Sequence, residues 1–440
     1  MDRRNTLGFD AYWMPFTANR AFKDAPRLVA CASGHEYRTP DGARVLDAFS
    51  GLWTTGVGHG RPEIIEAVRR QLETLDYAPA FQIGHPGAFD LATRLTALAP
   101  NGMTRAFFTN SGSEAVETAL KIALAYQHAR GKPQKKRLIG RERGYHGVNF
   151  GGISVGGILA NRGVYAGGLL PNVSHLPATL DLKRNAFSRG LPEHGAELAD
   201  ALEHHVRVHG AESIAAVIVE PVAGSTGVIP PPKGYLERLR ALCDAHDVLL
   251  IFDEVITGFG RVGAPFAAQR FGVTPDLICT AKGLTNGVIP MGAVIARQEI
   301  YDAFMQGPPH AIEFFHGYTY SGHPAAVAAA IATLEIYSEE NSFDGARALE
   351  PAFEERIHQL RNAPNVIDIR NFGLMGAIEL APRAGSPGAR GFETHVRAFE
   401  AGLMVRNGGD VLQFAPFLNG TADELDETFS TIENVLRDVA

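Results

Sequence analysis

The chain of 440 residues carries 41 Lys and Arg against 48 Asp and Glu, a formal net charge of −7, with 45% hydrophobic and 20% charged residues. That length allows one large core and a smaller second domain, and the composition is ordinary for a soluble globular protein. The acidic balance excludes a general attraction to polyanions, so no nucleic acid partner is expected.

The segment after Met1-Asp2-Arg3-Arg4-Asn5 has no apolar stretch of signal-peptide type. The first forty or so residues are apolar and aromatic in places but show no clear period. Arg105–Thr109 reads as a strand, and Glu114–Ala129 as a helix with Ala115, Ala119, Ile122, Ala123 and Tyr126 on one face. The basic run Lys135-Lys136-Arg137 reads as a solvated loop. Ala215–Val219 is a strand ending at Glu220-Pro221. Gly234–Ala245 is a helix that feeds a strand ending at Asp253, and Ile278–Ala281 is another strand. This alternation predicts an α/β domain with a mostly parallel sheet. Pro324–Tyr337 is an Ala-rich helix with proline in its first turn, where the missing N–H costs nothing. The chain's longest near-apolar run, Ala325–Leu334, is too short to span a bilayer. Helices over Ala346–Leu360 and Gly391–Ala401, strands over Val366–Arg370 and Met375–Glu379, and a surface loop over Pro382–Gly391 complete the pass. Cys31, Cys243 and Cys279 are widely spaced, with no metal-ligand pattern, which fits a reducing compartment and a cytoplasmic location.

Two polar residues follow short apolar runs: Asp253 after Leu249-Leu250-Ile251-Phe252, and Lys282 after Leu277-Ile278-Cys279-Thr280-Ala281. A buried lysine loses charge and becomes a nucleophile toward carbonyls. An aspartate at a neighbouring strand end can keep a ring nitrogen protonated by Coulomb attraction. Together they suggest pyridoxal phosphate (PLP), with lysine holding the aldehyde as an imine. The plainer readings are a snorkelling lysine and a helix-capping aspartate. Thr109-Asn110-Ser111-Gly112-Ser113-Glu114 runs from strand to helix, so Ser111, Gly112 and Ser113 offer hydroxyls and backbone N–H groups at the positive end of a helix dipole. An ordinary serine cap has the same pattern. Tyr145-His146-Gly147 offers a flat ring that can stack on a cofactor or simply pack in a core. The Gly151-Gly152 and Gly156-Gly157 pairs lack dinucleotide-binding spacing, and there is no phosphate-binding P-loop.

In this order the residues resemble the class III (ω-amino acid) aminotransferases of PLP fold type I, over nearly the whole chain. Within that family the match is closest to the ω-amino acid:pyruvate (β-alanine:pyruvate) subgroup. The resemblance rests on Trp13–Arg20, Gly51-Leu52-Trp53-Thr54, Glu220–Ser225, Phe252–Arg261, Gly283–Gly287, Gly317–Ser321 and Val405–Asp410. It implies a large domain with a mostly parallel seven-stranded sheet between helices, and a small α+β domain built from both termini, divided as 1–50, 51–325 and 326–440.

By the same resemblance Lys282 is the Schiff-base lysine and Asp253 the ring-nitrogen partner. Val255 and Tyr145 flank the ring, with His146 beside it, and Ser111, Gly112 and Ser113 hold the phosphate. Thr319 reaches the phosphate of a neighbouring subunit, in a homodimer that sometimes pairs into a tetramer. Glu220 lies near the phenolic oxygen, Leu52 and Trp53 wall the substrate pocket, and Arg406 grips the substrate carboxylate. Phe16, Phe22 and Phe81 can extend the wall, and Phe16 and Phe22 fit ordinary packing equally well. Ile256 stands where many family members carry Gln, a feature of the pyruvate subgroup. The implied reaction is a ping-pong transfer from an ω-amino acid or primary amine to pyruvate, giving L-alanine. The alternatives are a 2-oxoglutarate-dependent aminotransferase, an aminomutase, or a PLP-binding protein without turnover.

Overall fold

The computed structural model describes residues 8–439. Near the N-terminus lie three short strands, β1 (Cys31–Ser33), β2 (Glu36–Arg38) and β3 (Arg44–Asp47). The middle of the chain supplies β4 (Met103–Thr109), β5 (Arg137–Arg141), β6 (Val173–Leu176), β7 (Ile214–Val219), β8 (Leu249–Asp253), β9 (Leu277–Thr280) and β10 (Gly292–Arg297). Toward the C-terminus follow β11 (Val366–Phe372), β12 (Met375–Leu380), β13 (Leu403–Met404), β14 (Arg406–Gly408) and β15 (Val411–Phe414).

The central sheet has seven strands in the order β4-β10-β9-β8-β7-β5-β6. Neighbours from β9 through β6 run parallel, and β10 is antiparallel to both β9 and β4. Strands β7, β8 and β9 are buried at every residue, because helices cover both faces and no side needs to be polar. Alternate residues serve opposite layers. Ala216, Ile218, Leu249 and Ile251 pack with Ala115, Ala119 and Ala123 of helix Gly112–Ala129. Val217, Val219, Leu250 and Phe252 pack with Leu236 and Leu239 of helix Tyr235–Ala245. Truncating a side chain such as Phe252 to alanine there costs about 3–5 kcal/mol. The arrangement sets the carboxyl ends of β7, β8 and β9 along one edge, where ligands bind in open α/β sheets.

Two four-stranded sheets accompany it, β1-β2-β3-β13 and β11-β12-β15-β14. In the first, β13 runs parallel to β3 with Leu403 opposite Leu46 and Met404 opposite Asp47, so both ends of the chain share one sheet. No helix among the described residues is long and apolar enough to cross a membrane.

Most expected elements stand within two or three residues of their sequence bounds, and helix Pro324–Glu339 begins on the expected proline. Two expectations are corrected. Lys135 is not solvated: it is buried, and Nζ donates to the carbonyls of Asp247 (2.6 Å) and Ile214 (3.2 Å), while Arg137 opens β5. Its ammonium satisfies carbonyls that the strand ends leave unpaired. The loop expected over Pro382–Gly391 stops early, because a helix spans Ala389–Glu400. The Asp410 carboxylate accepts from the N–H groups of Gly388 (2.6 Å) and Gly391 (2.9 Å) and so caps that helix from a distant turn.

Candidate active site

Asp253 and Lys282 meet at the carboxyl edge of the central sheet. Asp253 is the last residue of β8, level with Cys279 in β9, and the Glu254 N–H donates to the Cys279 carbonyl at 2.8 Å. The chain leaving β9 then turns sharply, with Lys282 at φ +47°, and Tyr337 Oη fixes the turn by donating to the Gly283 carbonyl at 2.7 Å. Lys282 is half-buried. Desolvation lowers its pKa to about 8, assisted by the Arg406 cation and opposed by Asp253 and Glu220.

The Asp253 carboxylate is buried and held at both oxygens. His146 Nδ1 lies 2.8 Å from Oδ2, and the Val255 N–H donates to Oδ1 at 3.2 Å. The carboxylate assigns the imidazole proton to Nδ1. Glu220, just beyond β7, accepts from the Tyr145 N–H (2.9 Å) and the Gly224 N–H (3.1 Å). Burial raises its pKa, and its carbonyl accepts from buried Arg141 at 2.7 Å. Tyr145 and His146 are therefore anchored side by side, one through its backbone to Glu220 and the other through its ring to Asp253.

Ser111 caps helix Gly112–Ala129 by accepting from the Glu114 N–H at 3.2 Å, and Glu114 reaches back to the Asn110 N–H at 2.8 Å. Ser113 Oγ accepts from the Val148 N–H at 3.2 Å. Both hydroxyl hydrogens remain free to donate outward. A Cβ on Gly112 would fall 2.8 Å from Val255 Cγ1, so only glycine lets the helix start approach the residue that follows Asp253-Glu254. The capping and anion-binding readings of this motif thus coexist.

Arg406 opens β14. Its Nη1 donates to Gln413 Oε1 (3.0 Å), across the hairpin from it in β15, and Gln413 Nε2 donates to the Ser225 carbonyl (3.0 Å). No carboxylate pairs with Arg406 among the described residues, and burial lowers its pKa. The turn Ser50–Trp53 presents Leu52 half-exposed, while Trp53 is 3% exposed and packs edge-on against Phe49 in a cluster with Val222 and Ile256. Thr319 is not joined to this set: it is exposed, and its carbonyl accepts from Tyr77 Oη at 3.1 Å. Phe16 and Phe81 are also exposed, whereas Phe22 is buried against Arg27.

Sequence reasoning gave His146 no partner and missed Gln413. The second was within reach, since a hairpin turning at Gly409-Asp410 places Gln413 opposite Arg406.

A family model for class III aminotransferases matches residues 17–436. The chain belongs to that family. It is 60% identical over 430 residues to an omega-aminotransferase of Caulobacter vibrioides, covering 98% of each chain. It is 52% identical over 437 residues to a beta-alanine–pyruvate aminotransferase of Pseudomonas aeruginosa, covering 99% of this chain and 97% of the relative. Among solved structures it is similar to a PLP-bound amine transaminase from an uncultivated Pseudomonas species, at 37% identity and a TM-score of 0.90, over 98% of this chain and 99% of the other.

Fold type I and dependence on PLP come with class III membership, and the residues present fit that cofactor. A helix N-terminus with two hydroxyls suits a dianionic phosphate. A buried carboxylate suits a protonated ring nitrogen, and an amine drawn toward neutrality suits an aldehyde. Two buried polar atoms at the same edge, His146 Nε2 and Thr280 Oγ1, lack partners among the described residues.

Proposed function

We propose that this aminotransferase moves the amino group of an ω-amino acid such as β-alanine, or of a primary amine, to pyruvate, releasing L-alanine and an aldehyde or ketone. The observation that carries this reading is Arg406: a half-buried guanidinium with no acidic partner among the described residues, held by neutral Gln413, and near enough to Lys282 for its charge to lower that amine's pKa. A cation so placed answers a substrate carboxylate near the reacting amine. Relatives named for transfer from β-alanine or an ω-amino acid to pyruvate support the same choice.

When bound, PLP supplies an electron sink for the donor carbon. The chain supplies the rest. Lys282 Nζ would hold the cofactor, and its free amine would take the proton from the donor carbon as a base and return it as an acid. At its pKa of about 8, half of the amine is neutral at pH 8, against well under ~1% for an ordinary lysine. Asp253, oriented by His146, would hold the ring nitrogen protonated. Val255 and Tyr145 would bound the ring, Glu220 would face its phenolic side, and Ser111, Gly112 and Ser113 would hold the phosphate. Leu52 and Trp53 limit the donor pocket, and buried Ile256 leaves no amide there.

Thr319 completes the phosphate site of a second copy in a homodimer. Its exposure, and that of Tyr77, Phe81, Phe315 and Tyr320 around it, supports cover by another chain. We assign the enzyme to the cytoplasm, in keeping with its three unpaired cysteines. We divide the chain at 1–50, 51–325 and 326–440, with β3 and β13 joining the two ends in one small domain. The test is a half-reaction. Holoenzyme mixed with β-alanine and no acceptor should lose the visible absorbance of bound PLP and release one malonate semialdehyde per subunit. An unchanged spectrum with β-alanine and with simple amines would overturn the reading.

A further inference from the structure

We propose that Asp47 is a positioning residue for donor binding: with His59 it sets the turn Phe49–Trp53 and ties it to the hairpin that carries Arg406. The proposal rests on the donor-pocket reading above.

The turn cannot hold itself. Ser50 (φ +44°), Gly51 (φ +71°) and Trp53 (φ +62°) all lie in the left-handed region, and two of them carry side chains. Such backbone persists only where its surroundings over-determine it. Asp47, at the end of β3, is the group that does so. Its carboxylate has no solvent exposure. Oδ1 accepts from the Phe49 N–H at 2.9 Å, and Oδ2 from the Gly51 N–H at 2.7 Å. Oδ2 also meets His59 Nε2 at 2.9 Å. His59 in turn is fixed by the Tyr37 and Phe417 rings, with centroids at 4.5 and 5.7 Å, and by backbone pairing with Gly34.

The same frame reaches Arg406. The Ala48 N–H donates to the Met404 carbonyl (3.1 Å), two residues before Arg406. The Ala48 carbonyl accepts from the Ala415 N–H (2.9 Å), two residues after Gln413, and Ser50 Oγ donates to the Ala415 carbonyl (2.6 Å). The residues proposed to wall the donor, Leu52 and Trp53, and the arginine proposed to grip its carboxylate are thus registered through one short segment, 47–50. A carboxylate is required because three donors converge on it; in an amide, whichever way it turns, the Phe49 or the Gly51 N–H faces an NH2 group.

The chain has two tryptophans, Trp13 and Trp53, so a W13F background makes Trp53 the only indole. In W13F holoenzyme we compare D47N with its parent by two readouts. Acrylamide quenching of Trp53 should rise about twofold or more as the turn opens. The donor KM should rise about tenfold while kcat stays within about threefold, since a displaced pocket wall weakens ground-state binding and leaves Lys282 and Asp253 in place. H59F, which keeps an aromatic ring against Tyr37 and Phe417 but donates nothing, should move both readouts the same way by a smaller factor. It takes the place of D47N should that variant fail to fold. Unchanged Trp53 quenching, or a loss confined to kcat, overturns the proposal. The quenching arm needs no substrate. A wrong donor assignment therefore appears as an inactive W13F parent with the quenching change intact, and a wrong role for Asp47 as unchanged quenching.

Discussion

Replacing Arg406 with alanine separates carboxylate recognition from everything else the site does. A hydrogen bond to a charged group contributes about 1.5–3 kcal/mol. At about 1.4 kcal/mol per decade this is a ~10- to 150-fold loss of kcat/KM for a carboxylated donor. A carboxyl-free amine lacks that interaction and should lose little. Two side effects fall on both donors alike. Gln413 Oε1 loses its donor, an unsatisfied buried acceptor that costs about 1–3 kcal/mol of stability. The Arg406 cation also helps hold Lys282 down at about 8, so its removal lets that pKa climb. Neither changes the ratio between donors. The assay is single-turnover kcat/KM for β-alanine and a simple primary amine, without pyruvate, whose own carboxylate would otherwise enter. Equal losses for the two donors would refute a carboxylate role for Arg406.

Other consequences are as direct. Lys282→Ala should abolish turnover and the visible absorbance of bound PLP, checked by spectrum and by alanine formation. Asp253→Asn should slow the half-reaction by about 10²–10³-fold, the scale of losing one preorganised electrostatic partner, with little change in fold by circular dichroism. In the apoenzyme, Lys282 should react with an amine-directed label along a curve centred at about pH 8. Burial depresses the folded-state pKa, so the reactive neutral form gains as pH rises through 8, well below the range of an exposed lysine. Gln413→Leu should weaken β-alanine about three- to fivefold, less than the loss of Arg406, because the guanidinium stays but loses its neutral tether.

The parts of this site that rest on local pattern were legible in the sequence. Asp253 and Lys282 stand after buried apolar runs, and parallel β8 and β9 bring them to one edge. Ser111-Gly112-Ser113 sits at a strand-to-helix junction, which fixes its chemistry whichever reading is taken. The roles of Arg406, Leu52 and Trp53 came only from family resemblance, since no local pattern says where a β-hairpin or a left-handed turn will project. What was not legible depends on distant partners. Lys135 is buried because carbonyls at residues 214 and 247 need a donor. The helix at Ala389 starts early because Asp410 caps it. Asp47 reads as an ordinary strand-end residue until the turn above it is seen. Thr319 looks idle in one chain because the site proposed for it belongs to another.

The central claim is the direction of amine flow, and the amino acid that accumulates reads it most directly. Holoenzyme given β-alanine with equal pyruvate and 2-oxoglutarate should form L-alanine as the dominant product, alongside an equal amount of malonate semialdehyde. Glutamate as the dominant product, or no amino acid from either acceptor, would contradict the account.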